Sequence, residues 1–206
     1  ELNIKTKFIM GLRVTDNKII KVVEEVMIEF NKEIVDALEK KTCKAVPITI
    51  KKNNAIYVKR KSVELGYVGF PNKIDTKIIL NFIKEDFIPV ITPMGIDDKG
   101  QVYNINADTT AGALAINLKS RRLLLMTDVE GVYDKEKKLI SELKPSDAEN
   151  LIYNDTIQEG MIPKVRTCIN CTNNGVKGVV IIDGRKPHSI LFELFSDQGS
   201  GTLIRK

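Results

Sequence analysis

Asn104, Asn106 and Asp108 stand at every second position of the stretch Tyr103-Asn104-Ile105-Asn106-Ala107-Asp108. In an extended backbone alternate side chains share a face, so these three polar groups line one wall while Ile105 and Ala107 point to the other. Asp108 also precedes the small-residue run Thr109–Leu118, where a carboxylate can cap the N–H groups that open a helix. Taken alone, the stretch favours the plainer reading of a cap and two turn residues, and it becomes functional only where other parts of the chain converge on it. A second candidate is Glu159-Gly160-Met161-Ile162-Pro163-Lys164. Here a glycine loop enters a helix whose proline needs no N–H partner. The free N–H groups and macrodipole of such an end attract anions, and Lys164 adds a full charge, which outlines a phosphate site. A solvated lysine at a helix start is the plainer alternative. The third candidate is Thr127-Asp128-Val129-Glu130-Gly131-Val132-Tyr133-Asp134, where polar groups and a glycine appear as a leucine-rich strand leaves the core. A nucleotide fits such a loop, because ligands of open α/β sheets lie outside the carboxyl ends of strands.

The elements that must hold these loops are legible from periodicity. Thr15-Asp16 open an apolar-periodic run from Ile19 to Leu38, which predicts one long or two consecutive helices. Residues 45–50 and 55–58 bracket Asn53-Asn54 and predict a hairpin, and Gly66-Tyr67-Val68-Gly69 begins a further strand. Thr76 to Asp86 reads as an amphipathic helix, Phe87 to Thr92 as a buried strand, and Asp97-Asp98-Lys99-Gly100 as a turn. Leu123-Leu124-Leu125-Met126 suits a strand covered on both faces. Ser146-Asp147-Ala148-Glu149 has the capping-box pattern, and Pro163 sits in the first turn of another helix. Gly178 to Ile182 is a second continuous apolar strand, 188–195 is helical, and 201–204 is a last short strand. Helix–strand alternation of this kind predicts a three-layer αβα sandwich with a mainly parallel central sheet.

Composition narrows the function. With 206 residues, 43% of them hydrophobic, the chain can bury one sizeable core. The formal charge of +5 comes from 32 Lys+Arg against 27 Asp+Glu, but the lysines are dispersed. Only residues 51–61 cluster, without stacking aromatics, so they read as a solvated hairpin and not as a nucleic-acid surface. Cys43, Cys168 and Cys171 lack zinc-type pairing and read as reduced thiols, the last two core-facing. No metal site is expected. No apolar run approaches the ~20 residues of a membrane span, and no signal peptide is evident, so a soluble cytoplasmic protein is expected. The chain opens at Glu1 directly before Leu2-Asn3-Ile4, which reads as the interior of a longer protein.

Taken together and in order, several motifs resemble the acetylglutamate kinases of the amino acid kinase family. They are Gly11-Leu12-Arg13-Val14-Thr15-Asp16, Asn104-Ile105-Asn106-Ala107-Asp108, Leu125-Met126-Thr127-Asp128-Val129-Glu130-Gly131-Val132, Gly160-Met161-Ile162-Pro163-Lys164-Val165, Ile182-Asp183-Gly184-Arg185 with His188, and Gly199-Ser200-Gly201-Thr202-Leu203-Ile204. The resemblance covers nearly the whole chain. It implies transfer of the γ-phosphoryl group of ATP, with Mg2+ carried by the nucleotide, to the side-chain carboxylate of N-acetyl-L-glutamate, the second step of arginine biosynthesis. Arg13, Asn104 and Asn106 would bind the acetylglutamate. Lys164 would stabilise the moving phosphoryl group, and Asp108 would organise catalytic lysines. Thr127, Asp128, Val129, Gly131, Val132, Met161 and Pro163 would line the ATP pocket. Residues 1–108 would form the acetylglutamate-binding and dimer-forming half, and 109–206 the ATP-binding half. A homodimer or a hexamer of dimers, arginine feedback through His188, Glu193, Gly199 and Gly201, and the PII signalling protein as a partner are implied as well. For His188 a cap or packing role stands beside the effector role.

The departures from the family pattern have consequences of their own. The first strand with its catalytic lysine and both glycine-rich loops would precede Glu1, so the chain by itself is expected to be nearly inactive. Losing an oxyanion-type donor costs on the order of a hundredfold in rate. Residues 47–52 replace a glycine-containing segment, and Glu159 replaces the first glycine of a Gly-Gly-Met pair, which would stiffen the loop before Lys164. Two other readings stay open: a non-catalytic chain that binds nucleotide or arginine and acts through subunit assembly, and a kinase of a related small carboxylate such as an aminoadipate derivative.

Overall fold

The computed structural model describes residues 7–9, 12–158, 160–196 and 199–206. Gly11 and Glu159, singled out above, lie outside the described residues. The chain divides into two units, Glu1–Thr110 and Ala111–Lys206.

In the first unit a short antiparallel pair, β1 (Phe8–Ile9) and β2 (Leu12–Arg13), leads to α1 (Asn17–Glu39). The predicted helical run is one helix of 23 residues. Asp16 caps it, its carboxylate accepting from the Lys18 and Ile19 N–H groups at 2.8 Å each. Next come β3 (Ala45–Ile48), β4 (Ile56–Arg60), β5 (Gly69–Ile74), α2 (Thr76–Lys84), β6 (Ile88–Ile91), β7 (Met94–Ile96) and β8 (Val102–Asn104). The hairpin predicted around Asn53-Asn54 does not form. β3 pairs in parallel with β6, whereas β4 belongs to another sheet of order β5-β4-β7-β8. The reason is local: Thr49 and Lys52 close a tight turn on themselves by reciprocal backbone bonds of 2.8 and 3.2 Å, which ends β3 early. The lysines of 51–61 are therefore split between this turn and the end of β4, and Lys51 reaches Glu24 on α1 at 3.0 Å. β4 finds its antiparallel partner in β5 instead. β7 and β8 form the hairpin around the predicted turn at 97–100, where the Asp97 carboxylate accepts from the Lys99 and Gln101 N–H groups at 2.9 Å.

Helix α3 (Ala107–Asn117) begins in the first unit and ends in the second. There follow β9 (Arg122–Thr127), β10 (Glu142–Leu143), α4 (Pro145–Tyr153), α5 (Met161–Asn173), β11 (Gly178–Asp183), α6 (Ser189–Phe195) and β12 (Gly201–Ile204). The sheet order is β10-β12-β11-β9, with β9 and β11 parallel and β12 antiparallel to β11. All six residues of β11 are buried. The leucine-rich strand is covered less fully than its composition predicts. It is terminal in the strand order, and only Leu125 is buried while Met126 stays 48% exposed. Cys168 and Cys171 form no disulfide and are buried in this core, as their spacing on α5 predicts, and burial pushes Cys171 up to about 11. The capping box at Ser146 is not realised. The helix starts at Pro145 with Lys144 at the cap position, and the Ser146 hydroxyl turns to Asp147. Among the described residues no helix is long and apolar enough to cross a membrane.

Candidate functional site

In the first unit, Arg13 and Asn104 are tied to one another by a short backbone relay. Arg13 ends β2, exposed, and its carbonyl accepts from the Thr15 hydroxyl at 3.1 Å. Thr15 is fully buried and bridges to Gly66: its N–H donates to Leu65 O (3.0 Å) and its carbonyl accepts from the Tyr67 N–H (2.7 Å). The Tyr67 carbonyl in turn accepts from the Asn104 N–H at 2.9 Å. Residue 66 has φ +70°, and a Cβ there would sit 2.2 Å from Thr15 O, so the approach requires glycine. Asn104 is half-buried at the end of β8. Tyr67 and Tyr103 pack ring to ring at 6.0 Å, and the Tyr103 hydroxyl donates to Asp97. Burial works to raise the Asp97 carboxyl, but the Gln101 and Lys99 N–H groups with the Tyr103 hydroxyl hold it below the usual range. Burial and the neighbouring Asp97 push the Tyr103 phenol up.

The strand-like alternation of Asn104, Asn106 and Asp108 stops at Asn104, because the chain enters α3 at Ala107. The cap is Asn106, not Asp108. Its Oδ1 accepts from the Thr109 N–H at 2.9 Å and the Thr109 hydroxyl at 3.1 Å, and its carbonyl accepts from the Thr110 N–H. Asp108 lies half-buried in the first turn, where the macrodipole favours its negative charge. A sequence reading overlooks this because Asn and Asp are comparable caps, and only the backbone decides which one stands outside the first turn.

In the second unit, β9 and β11 end together, with Thr127 opposite Asp183 in parallel register. The Thr127 hydroxyl donates to the exposed Asp128 carboxylate at 3.2 Å, and Val129 follows half-buried. Gly131 and Val132 turn inward. A Cβ on Gly131 would meet Thr202 Oγ1 at 2.4 Å, and the Val132 N–H donates to that hydroxyl at 2.8 Å, which itself donates to Ile140 O. Val132 is 1% exposed, so these two residues fasten the loop to β12, whereas residues 127–130 are half-buried or exposed. Helix α5 starts three residues before Lys164, with Gly160 at the cap in ordinary helical geometry. Lys164 and Met161 are half-buried, Pro163 is exposed, and Met161 leans on the core.

Four further charged residues at the ends of β9 and β11 carry no assigned role in the sequence. Arg185 grips the Asp183 carboxylate through Nε and Nη2 at 3.0 and 2.9 Å, and this bond holds Asp183 down to about 2. Lys186 pairs with Glu130, which also accepts from the Tyr133 hydroxyl. The Ile182–Arg185 motif signals Asp183 and Arg185 and the Leu125–Val132 motif signals Glu130, whereas no motif includes Lys186.

The residues singled out for effector binding serve the local fold. Glu193 is 7% exposed, 3.5 Å from Arg122 Nη1, and accepts from the Ser200 N–H at 3.1 Å. Gly199, with φ +66°, passes close to that carboxylate, and a Cβ on Gly201 would lie 2.0 Å from Ile181 O. His188 is exposed and stands at the N-cap position of α6 in the left-handed region, its carbonyl accepting from the Phe192 N–H at 3.0 Å while its side chain makes no cap bond.

This two-unit α/β chain falls into a known class: residues 1–183 match the model of the Amino acid kinase family, and the chain belongs to that family. Within it, the chain is 56% identical over 206 residues to the acetylglutamate kinase of Pelagibacter ubique, covering all of this chain and 72% of that protein. It is 46% identical over 219 residues to the acetylglutamate kinase of Afipia carboxidovorans, covering all of this chain and 74% of that protein. Among solved structures, smu.665 from Streptococcus mutans superposes with a TM-score of 0.85 at 26% identity, over 98% of this chain and 78% of that one.

Proposed function

We propose that this chain carries the substrate- and nucleotide-binding residues of an ATP-dependent kinase that phosphorylates the side-chain carboxylate of N-acetyl-L-glutamate in arginine biosynthesis. The observation that carries the reading is the 56% identity to an acetylglutamate kinase over the full 206 residues. The relay from Arg13 through Thr15 and Tyr67 to Asn104 supports it, because it ties together the backbones that carry a fork-shaped cation and an amide, groups suited to a small amino-acid derivative.

Both reactants are anions, and a carboxylate nucleophile needs no general base. Catalysis therefore reduces to screening, alignment and stabilisation of charge on the moving phosphoryl group. Residues 1–108 take the acceptor, Arg13 holding its α-carboxylate and Asn104 its polar groups. Asn106 acts at this site through the start of α3, which it caps. Residues 109–206 take ATP at Thr127, Asp128 and Val129, with Met161 and Pro163 beside it and Gly131 and Val132 bracing the loop. Lys164, in the first turn of α5, adds a full positive charge to the end of a helix dipole and stabilises the transferring group. Asp108 orients the catalytic cations. Among the described residues no group of three or more His, Cys, Asp or Glu is arranged to hold a metal. Mg2+ enters on the phosphate oxygens, where it screens their charge.

The protein works in the cytoplasm as a homodimer or hexamer of dimers, with arginine and the PII protein as regulators. Arginine control through Glu193 has a cost: the carboxylate already serves Arg122 and Ser200, so an incoming guanidinium must displace the chain's own.

The test is hydroxylamine-trapped acyl phosphate formed by the whole natural protein from MgATP and N-acetyl-L-glutamate, beside Lys164→Ala. Turnover by the wild type, with a drop of about a hundredfold or more in the variant, is the expected result. ATP or arginine binding without acyl phosphate from any small carboxylate would instead leave a binding protein.

A further inference from the structure

The loops after β9 and β11 are fastened to each other twice. The Gly184 N–H donates to Thr127 O at 2.8 Å, and Lys186 pairs with Glu130, whose other oxygen holds the Tyr133 hydroxyl. Between these fastenings stands Arg185. Its backbone N–H and its Nε both donate to Asp183 Oδ1, at 2.9 and 3.0 Å, and Nη2 donates to Oδ2 at 2.9 Å. Asp183 itself is 3% exposed at the end of a fully buried strand, so the anchor cannot move. The Arg185 side chain is nonetheless 67% exposed. An exposed arginine ordinarily samples many rotamers, whereas this one offers a fixed guanidinium plane to solvent. It does so at the carboxyl ends of two adjacent parallel strands, where α/β sheets take their ligands.

The local charge separates two possible uses. Asp183 pairs with Arg185 and Glu130 with Lys186, Asp128 lies within charge range of Arg185, and three carboxylates against two cations leave a formal −1. A polyphosphate is repelled by such a cluster. The nucleoside end of a nucleotide is not, since its exocyclic amine and ribose hydroxyls are donors that carboxylates accept and its base is a planar π-system.

We infer that Arg185 is a nucleotide-positioning residue whose guanidinium, held flat by Asp183, is the platform on which the purine base of the nucleotide stacks. The inference deepens the nucleotide site proposed above and rests on it. Asp128 and Glu130 then accept from the amine or ribose hydroxyls, and the phosphates are left to Lys164.

The experiment is calorimetric titration of the whole natural protein with ATP and, separately, with inorganic tripolyphosphate, for the wild type, Arg185→Ala and Arg185→Lys. Both variants are expected to bind ATP about tenfold more weakly, the scale of a stacked cation–π contact, and tripolyphosphate as the wild type does. In turnover the KM for ATP rises in proportion while kcat at saturating ATP is retained. Lysine keeps the charge and the ion pair to Asp183 but lacks the plane, so Arg185→Lys decides the matter even if Arg185→Ala does not fold. Wild-type ATP affinity in Arg185→Lys, or equal weakening of ATP and tripolyphosphate, overturns the platform. ATP binding without phosphorylation of N-acetyl-L-glutamate removes the acceptor assignment alone, whereas a wild type that binds no ATP removes both.

Discussion

Asp183 shows how one side chain can set a site's rigidity and report on it. Its carboxyl is held down to about 2 from an ordinary 3.8, first by the Arg185 side chain and then by the Arg185 backbone N–H. A carboxyl whose folded pKa lies below its unfolded value binds fewer protons when folded. It therefore contributes stability that is fully present above pH 4 and is lost as the pH falls through the folded value. The prediction is that the difference in melting temperature between the wild type and Asp183→Asn is constant from neutral pH down to about 4 and shrinks steadily toward pH 2. Thermal melts across that range, monitored by circular dichroism, check it. A difference independent of pH would mean that the charge on Asp183 adds nothing to its bond with Arg185. The opposite economy operates at Glu193, whose buried carboxylate spends itself on Arg122 and the Ser200 N–H within its own fold.

Among the elements, the segment from β2 into α1 and the turn at Gly66 depend on each other. Thr15 exchanges backbone bonds with Leu65 and Tyr67 across a contact that admits no Cβ. Gly66→Ala puts a methyl group 2.2 Å from Thr15 O in a left-handed conformation, which alone costs about 1–2 kcal/mol. The backbone must shift to relieve it. The expected outcome is a lower melting temperature together with a raised KM for N-acetyl-L-glutamate and an unchanged KM for ATP, because Arg13 and Asn104 lose their common register. Steady-state kinetics with each reactant varied in turn reads this. Equal rises in both constants would point to general loosening. The β3–β4 region carries a related lesson. Asn53-Asn54 has the composition of a hairpin turn, yet the closed turn at 49–52 commits β3 to β6, because β6 offers Ile88 to Ile91 as a matching parallel strand.

At the scale of the whole molecule, each unit has a core of its own, and that of the second centres on β11. Ile181 is fully buried there, packed beneath α5 and between β9 and β12. Ile181→Ala removes about 2–5 kcal/mol through lost burial and the cavity left behind. Native-state hydrogen exchange is expected to show the loss of protection concentrated in β9, β11 and β12, with the amides of β4 and β5 changing less, since units with separate cores open separately. Uniform loss of protection across both units would show a single cooperative structure.

The sequence by itself determined what depends on near neighbours. The Asp16 cap and apolar period of α1, the run of β11, the core-facing cysteines of α5 and the turn at 97–100 follow from side chains a few residues apart. The ordered motifs determined the family as well, because residue types at fixed spacing survive without knowledge of the fold. Only the tertiary structure decided which polar residue caps α3, which strand β3 pairs with, that Met126 is exposed while β11 is sealed, and that Arg13 meets Asn104 through Tyr67. It also brought Arg185 beside Thr127 and Glu130. These outcomes turn on contacts between residues far apart in the chain. Propensity and spacing favour several such pairings about equally, and close packing with satisfied backbone groups selects one of them.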